Sequence, residues 1–146
     1  MLSNTSRYAV RAVIYLAVHG QDKRKIGIKK IAEAMDIPAP FLGKILQVLV
    51  RRKILASTKG PHGGFGIAKD PFEISPYDII TEMDGDDLFN ACILGTGNCN
   101  GGKKNGHCAI HSEFEMAKKE LVSLYKTKTI GDLAAKAASE LDKIIL

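Results

Sequence analysis

The stretch PAPFLGKILQVLVRRKILASTKGPHGGFGIA, residues 38–68, changes its hydrophobic period partway along. In its first half Phe41, Leu42, Ile45, Leu46 and Leu49 recur at helical spacing, and Pro38 and Pro40 suit a first turn. The spacing predicts a helix that runs to Arg51-Arg52-Lys53. In the second half, 54–58 reads as a strand, 59–64 as a glycine-rich turn and 65–68 as a return strand, which makes a β-hairpin.

Upstream, Ile28, Ile31, Ala32 and Met35 mark a short helix with one buried face, while Lys29, Lys30 and Glu33 stay solvated. Pro38 ends that helix, because proline disfavours helical geometry at the residue before it. Two helices across a tight turn, followed by a hairpin, form the pattern of a winged helix-turn-helix, in which the second helix enters the DNA major groove. Lys44, Gln47 and Arg51 are the base-reading candidates on that second helix, and Lys29 is a further DNA-facing candidate on the first. At the wing tip Lys59 supplies charge and His62 is a solvated turn residue. Gly63 and Gly64 offer exposed N–H groups and a close approach to the duplex.

The remaining elements extend this core. Ser3 to Ser6 supply N-cap oxygens for a mostly buried helix ending at Gly20. Ser75-Pro76-Tyr77-Asp78 is a helix start whose helix ends near Gly85. Ile110, Phe114, Ala117, Leu121 and Leu124 form a heptad-like seam that predicts a dimerisation helix, and Thr129 to Asp132 caps a last helix carrying Leu133, Ala134, Ala137, Leu141 and Ile144. The expected fold is mainly α with a small β-hairpin wing: a winged helix-turn-helix domain plus a long C-terminal dimerisation helix. Its expected parts are a DNA-binding domain over 1–86, a cysteine-rich loop over 87–109, and dimerisation and C-terminal helices over 110–146.

Charge divides along the same line. Residues 1–69 carry 13 Lys or Arg against 3 acids, a net +10, whereas residues 70–146 net −5. A basic half implies a polyanion partner, with double-stranded DNA first and an anionic membrane surface second. No apolar run is long enough to span a membrane and no signal segment opens the chain, so a cytoplasmic protein is expected. No P-loop, dinucleotide fingerprint or nucleophile-base pattern points to an enzyme.

All three cysteines, Cys92, Cys99 and Cys108, fall within 17 residues, with His111 just beyond. Clustered thiols in a reducing compartment bind metal or react. If a helix begins near Cys108, then Cys108 and His111 share one face and the thiolate is favoured by the helix N-terminus. His107 is the weaker alternative donor. Gly95, Gly97, Gly101, Gly102 and Gly106 let the loop wrap a centre, and Lys103 and Lys104 offset thiolate charge. Three thiolates and an imidazole suit either zinc or an iron-sulfur cluster, with redox-active thiols as a third possibility.

Taken in order, SRYAVRAVIYLA, PAPFLGKILQVLVRRKIL, STKGPHGGFGIAKDP and a C-x6-C-x8-C-x2-H loop before a long helix resemble the IscR and NsrR type of bacterial winged-helix regulator. The resemblance covers nearly the whole chain. It implies a homodimer on pseudo-palindromic DNA and an iron-sulfur cluster, typically 2Fe-2S, held by Cys92, Cys99 and Cys108 with His111 as the nitrogen ligand. The loop intervals are longer than in the best-known members. Some relatives take a carboxylate ligand from the first helix, yet no acid occurs from Met1 to Arg11 and Tyr8 stands in its place. Gly43 occupies a position where some relatives carry an acidic base-reading residue. The expected function is a DNA-binding transcription regulator sensing cluster status, redox or nitric oxide. The rival readings are a constitutive repressor with structural zinc or no metal, and an iron-sulfur electron-transfer or carrier protein.

Overall fold

Ser3 sets the start of the first helix, α1 (Asn4–His19), by accepting a hydrogen bond from the Ser6 N–H at 3.0 Å. The structure is a computed structural model and describes residues 2–20, 22, 24–94 and 109–140. Ala9, Ala12, Val13 and Leu16 on α1 are buried, and the two alanines let neighbouring helices approach closely. Around α1 pack α2 (Ile28–Met35), α3 (Ala39–Arg51), α4 (Pro76–Asp84) and α7 (Ile130–Ser139).

The predicted helix pair is present. Asp36 closes α2 in the left-handed conformation, at φ 53°, and its N–H returns to the Ala32 and Glu33 carbonyls. Arg11 reaches from α1 to the same end of α2, where its Nη2 donates to the Met35 carbonyl at 3.4 Å. On α3, Leu42, Ile45, Leu46 and Leu49 fill the core. Phe41, grouped by its spacing with these residues, is instead 40% exposed, because it lies on the flank of the buried stripe.

The hairpin pairs β1 (Leu55–Thr58) with β2 (Gly64–Ile67) in antiparallel register, Leu55 opposite Ile67 and Thr58 opposite Gly64. A third chain segment joins it. Ile26 and Phe65 exchange both backbone hydrogen bonds, at 2.9 and 2.8 Å, which ties the wing to the residues that lead into α2. A Cβ on Gly64 would lie 2.3 Å from the Ile26 carbonyl oxygen, and one on Gly63 would lie 2.1 Å from that of Thr58. Packing alone therefore requires glycine at both positions.

Capping boxes start α4, through Ser75 and Asp78, and α7, through Thr129 and Asp132. The C-terminal helix returns to the N-terminal half: Ile130, Ala134 and Ala137 are buried, and the Ile130 N–H donates to the Ile74 carbonyl at 2.8 Å. One feature differs from expectation between α4 and α7. A short helix, α5 (Asp87–Asn90), occupies the start of the segment expected as loop, held by Phe89 stacking on Tyr77 at 4.9 Å. The long helix, α6 (His111–Thr127), starts after Ile110, where the helical segment is expected to begin. Leu141 and Ile144 lie outside the described residues.

Asp84, at the end of α4, binds the start of α1. It accepts from the Ser3 N–H at 3.1 Å and from the Ser3 hydroxyl. Burial raises its pKa, but the lowering interactions, led by the two Ser3 hydrogen bonds, together outweigh burial and hold the carboxyl below its ordinary value. A carboxyl depressed in the folded state stabilises the fold above its ordinary pKa, and that contribution is lost as pH falls through the folded value. Asp84→Asn is therefore expected to cost less than about 1 kcal/mol at neutral pH, because solvent screens a largely exposed carboxyl. Thermal melts at successive pH values should show the two proteins converging as the solution becomes strongly acidic. A difference independent of pH would contradict this assignment.

Candidate DNA interface and cysteine loop

With Leu42, Ile45, Leu46 and Leu49 turned inward, α3 presents Lys44, Gln47 and Arg51 to solvent as one stripe, spaced i, i+3 and i+7. Lys29 is exposed on α2. Lys59 and His62 are exposed at the wing tip, which turns at Gly60, φ 106°. The structure thus places every charged or polar DNA-contact candidate in solvent on the helix pair or the wing. The glycines behave differently from expectation: Gly63 is half-buried and its N–H donates to the Gly60 carbonyl at 3.0 Å, so that donor closes the turn.

Three residues near this surface have roles their sequence positions do not signal. Lys25 lies along Gly66 and its Nζ donates to the Ala56 carbonyl at 3.5 Å, bracing the wing from beneath. Arg52, which caps α3, forms an ion pair with Glu82 of α4 at 2.7 Å. Phe41 stands exposed one turn before Lys44 with its ring edge-on to Tyr8, centroids 5.9 Å apart. Only the adjacency of Phe41 and Leu42, which cannot both face inward squarely, hints at the last of these.

Of the four candidate metal donors, Cys92 is half-buried two residues after α5, and His111 is the first residue of α6. Cys99 and Cys108 lie outside the described residues, as do His107, Lys103 and Lys104. Of the expected Cys108–His111 pair, only His111 falls among the described residues, at the first position of α6. Among the described residues no three His, Cys, Asp or Glu side chains stand close enough to hold a metal ion. Tyr8, at the position where some relatives supply a carboxylate, packs its ring against Phe41 with the Arg11 guanidinium 5.9 Å from its centroid.

The long helix has no fully buried side chain, and Met116 and Leu124 are 66% and 49% exposed. Its inner side meets α5 and α4 through Phe89, which lies 6.2 Å from Tyr125, and through Lys126, whose Nζ sits 4.4 Å from the Tyr77 ring centroid. Among the described residues no helix is long and apolar enough to cross a membrane.

A helix pair with a basic outer stripe, followed by an antiparallel wing, defines the winged helix-turn-helix class. Residues 2–136 match the Rrf2 family, described as iron-dependent transcriptional regulators, and the chain belongs to that family. It is 37% identical over 134 residues to a protein of Aquifex aeolicus provisionally named as an HTH-type transcriptional regulator, covering 91% of this chain and 90% of that one. A relative named HTH-type transcriptional regulator IscR, from Vibrio vulnificus, is 29% identical over 132 residues, which is 90% of this chain and 76% of the relative. Among solved structures, CymR, the global cysteine regulator of B. subtilis, shares the fold with a TM-score of 0.78 at 20% identity, covering 93% of this chain and 97% of that one. T. potens IscR does so with a TM-score of 0.74 at 23% identity, covering 100% and 93%.

Proposed function

We propose that this regulator binds duplex DNA as a homodimer on a pseudo-palindromic site, and that an iron-sulfur cluster in the 92–111 loop sets its affinity. The observation that carries the DNA reading is the exposed Lys44-Gln47-Arg51 stripe beside the exposed Lys59 wing, on a half of the chain with net charge +10. The stripe reaches base edges and backbone in the major groove, while Lys59 and His62 meet the flanking phosphates or minor groove. Lys29 contacts the backbone from α2. Support for the dimer comes from α6, whose exposed Met116 and Leu124 are apolar surface that a second copy can cover.

The donor set fits the cluster by its chemistry: three thiolates and one imidazole, from Cys92, Cys99, Cys108 and His111. When bound, a 2Fe-2S cluster supplies a centre whose charge and integrity respond to oxidant, nitric oxide and iron supply. The chain offers a packed route from that loop to the DNA face. Cys92 follows α5, whose Phe89 stacks on Tyr77 of α4, and Glu82 of α4 holds Arg52 at the end of α3. A change in the order of the loop therefore acts on the helix that braces the recognition helix.

Duplexes selected from a random-sequence pool, followed by fluorescence anisotropy at several salt concentrations, test the DNA reading. Selective binding that weakens steeply with salt is expected. No enrichment of any sequence, or binding indifferent to salt, would contradict it. Iron and acid-labile sulfide assayed on anaerobically purified protein test the cluster, for which equimolar zinc without sulfide is the contrary result.

A further inference from the structure

We infer that Phe41 is a specificity-determining residue of the DNA face and reads the 5-methyl group of a thymine; this rests on the DNA-binding function proposed above. Phe41 is the third residue of α3, and the N-terminal residues of a recognition helix are those that contact base edges. It is 40% exposed, whereas its neighbours Leu42 and Ile45 are 0% and 3% exposed. Phe41 lies one turn before Lys44, so the two share the exposed flank of the helix.

Chemistry narrows what such a residue can recognise. A phenyl ring has no hydrogen-bond donor or acceptor, so it cannot pair with purine N7, the exocyclic amines or the carbonyl edges. The apolar group displayed on the base edges of the major groove is the thymine methyl.

The ring is also held in place. Tyr8 of α1 packs edge-on against it with an interplanar angle of 90° and centroids 5.9 Å apart. The Arg11 guanidinium stands 5.9 Å from the Tyr8 ring centroid and is itself anchored by its hydrogen bond to the Met35 carbonyl, at 3.4 Å. Arg11, Tyr8 and Phe41 thus form a buttress that joins the end of α2 to the start of α3. A ring fixed in this way loses little side-chain freedom on meeting a methyl group, which favours discrimination. Tyr8 and Arg11 are positioning residues in this arrangement.

The test uses the full-length protein and a duplex selected from random-sequence DNA. Each thymine is replaced by deoxyuridine, which removes only the methyl group, at symmetric positions in both half-sites. For the wild-type protein one such position should weaken binding by about fourfold per methyl, the effect of one buried carbon, and on the order of tenfold for the pair. Phe41→Ala should bind both duplexes equally at that position, and Phe41→Leu, which keeps an apolar contact, should retain part of the discrimination. Lys44→Ala should weaken binding to both duplexes alike. Thermal melts of Phe41→Ala should lie close to wild type, since the side chain is half in solvent. Equal uracil penalties in wild type and Phe41→Ala, or no penalty at any position, would overturn the assignment. Failure to enrich any duplex would sink the DNA-binding function itself.

Discussion

Replacing Gly64 with alanine should destabilise the protein by about 3 kcal/mol, from backbone strain and two disrupted hydrogen bonds. The residue sits at φ 150°, and its added Cβ would fall 2.3 Å from the Ile26 carbonyl oxygen and 2.8 Å from the Gly27 nitrogen. These are backbone atoms, so no rotamer change relieves the clash. The Ile26–Phe65 pair, bonded in both directions, must open, and the wing then loses its tie to the segment before α2. A drop of roughly 10 °C in the melting temperature is expected for a chain of this size. Faster hydrogen exchange at the Ile26 and Phe65 amides should accompany it. If Gly64 served only to let DNA approach, the variant would keep its melting temperature and lose affinity alone, so an unchanged melt would contradict the structural role.

The second large effect falls on DNA affinity. The combined variant Lys44→Ala, Arg51→Ala, Lys59→Ala should bind selected duplex more than about a hundredfold more weakly at moderate salt, because each removed charge leaves counterions condensed on the phosphates. All three side chains are exposed, so the melting temperature should stay near wild type. The slope of log affinity against log salt should fall by about 0.9 for each phosphate that the variant no longer neutralises. Anisotropy titrations across a salt series give both quantities together. An undiminished affinity, or a weaker affinity with the slope unchanged, would place the DNA-binding surface elsewhere.

Much of this arrangement is legible in the sequence, for identifiable reasons. The helix pair is readable because Ile31, Ala32 and Met35 on one helix and Leu42, Ile45, Leu46 and Leu49 on the other keep strict helical spacing, and Pro38 separates them. The Ser75–Asp78 and Thr129–Asp132 capping boxes are local hydrogen-bond chemistry and appear where the residues predict. Features set by tertiary packing leave weaker marks. The α5 turn depends on Phe89 stacking against Tyr77, an interaction with no period to detect. The Ile26–Phe65 bridge involves single residues from distant segments, so no alternation announces it. For the same reason Gly63 and Gly64 look like adaptable tip residues, although the fold requires both.

The candidate DNA-facing residues are easier to find than the candidate metal ligands. A charged side chain opposite an apolar stripe is placed by helix geometry alone, which puts Lys44, Gln47 and Arg51 on the outer face of α3. Phe41 escapes because an aromatic at the edge of the stripe satisfies the same spacing as a core residue. For the loop, residue types and intervals identify a donor set, but a glycine-rich segment carries no hydrophobic period from which the path of the chain between those donors can be read.

The central claim is that occupancy of the 92–111 loop changes how tightly the basic face holds DNA. The most direct measurement is the affinity for a selected duplex of anaerobically purified protein containing iron and sulfide, compared with the same preparation after chelation has removed both. The account predicts a change of about tenfold or more, the scale of an ordinary coupling between two sites. Equal affinities in the two states would contradict it, and would leave a winged-helix regulator whose DNA binding does not depend on the loop.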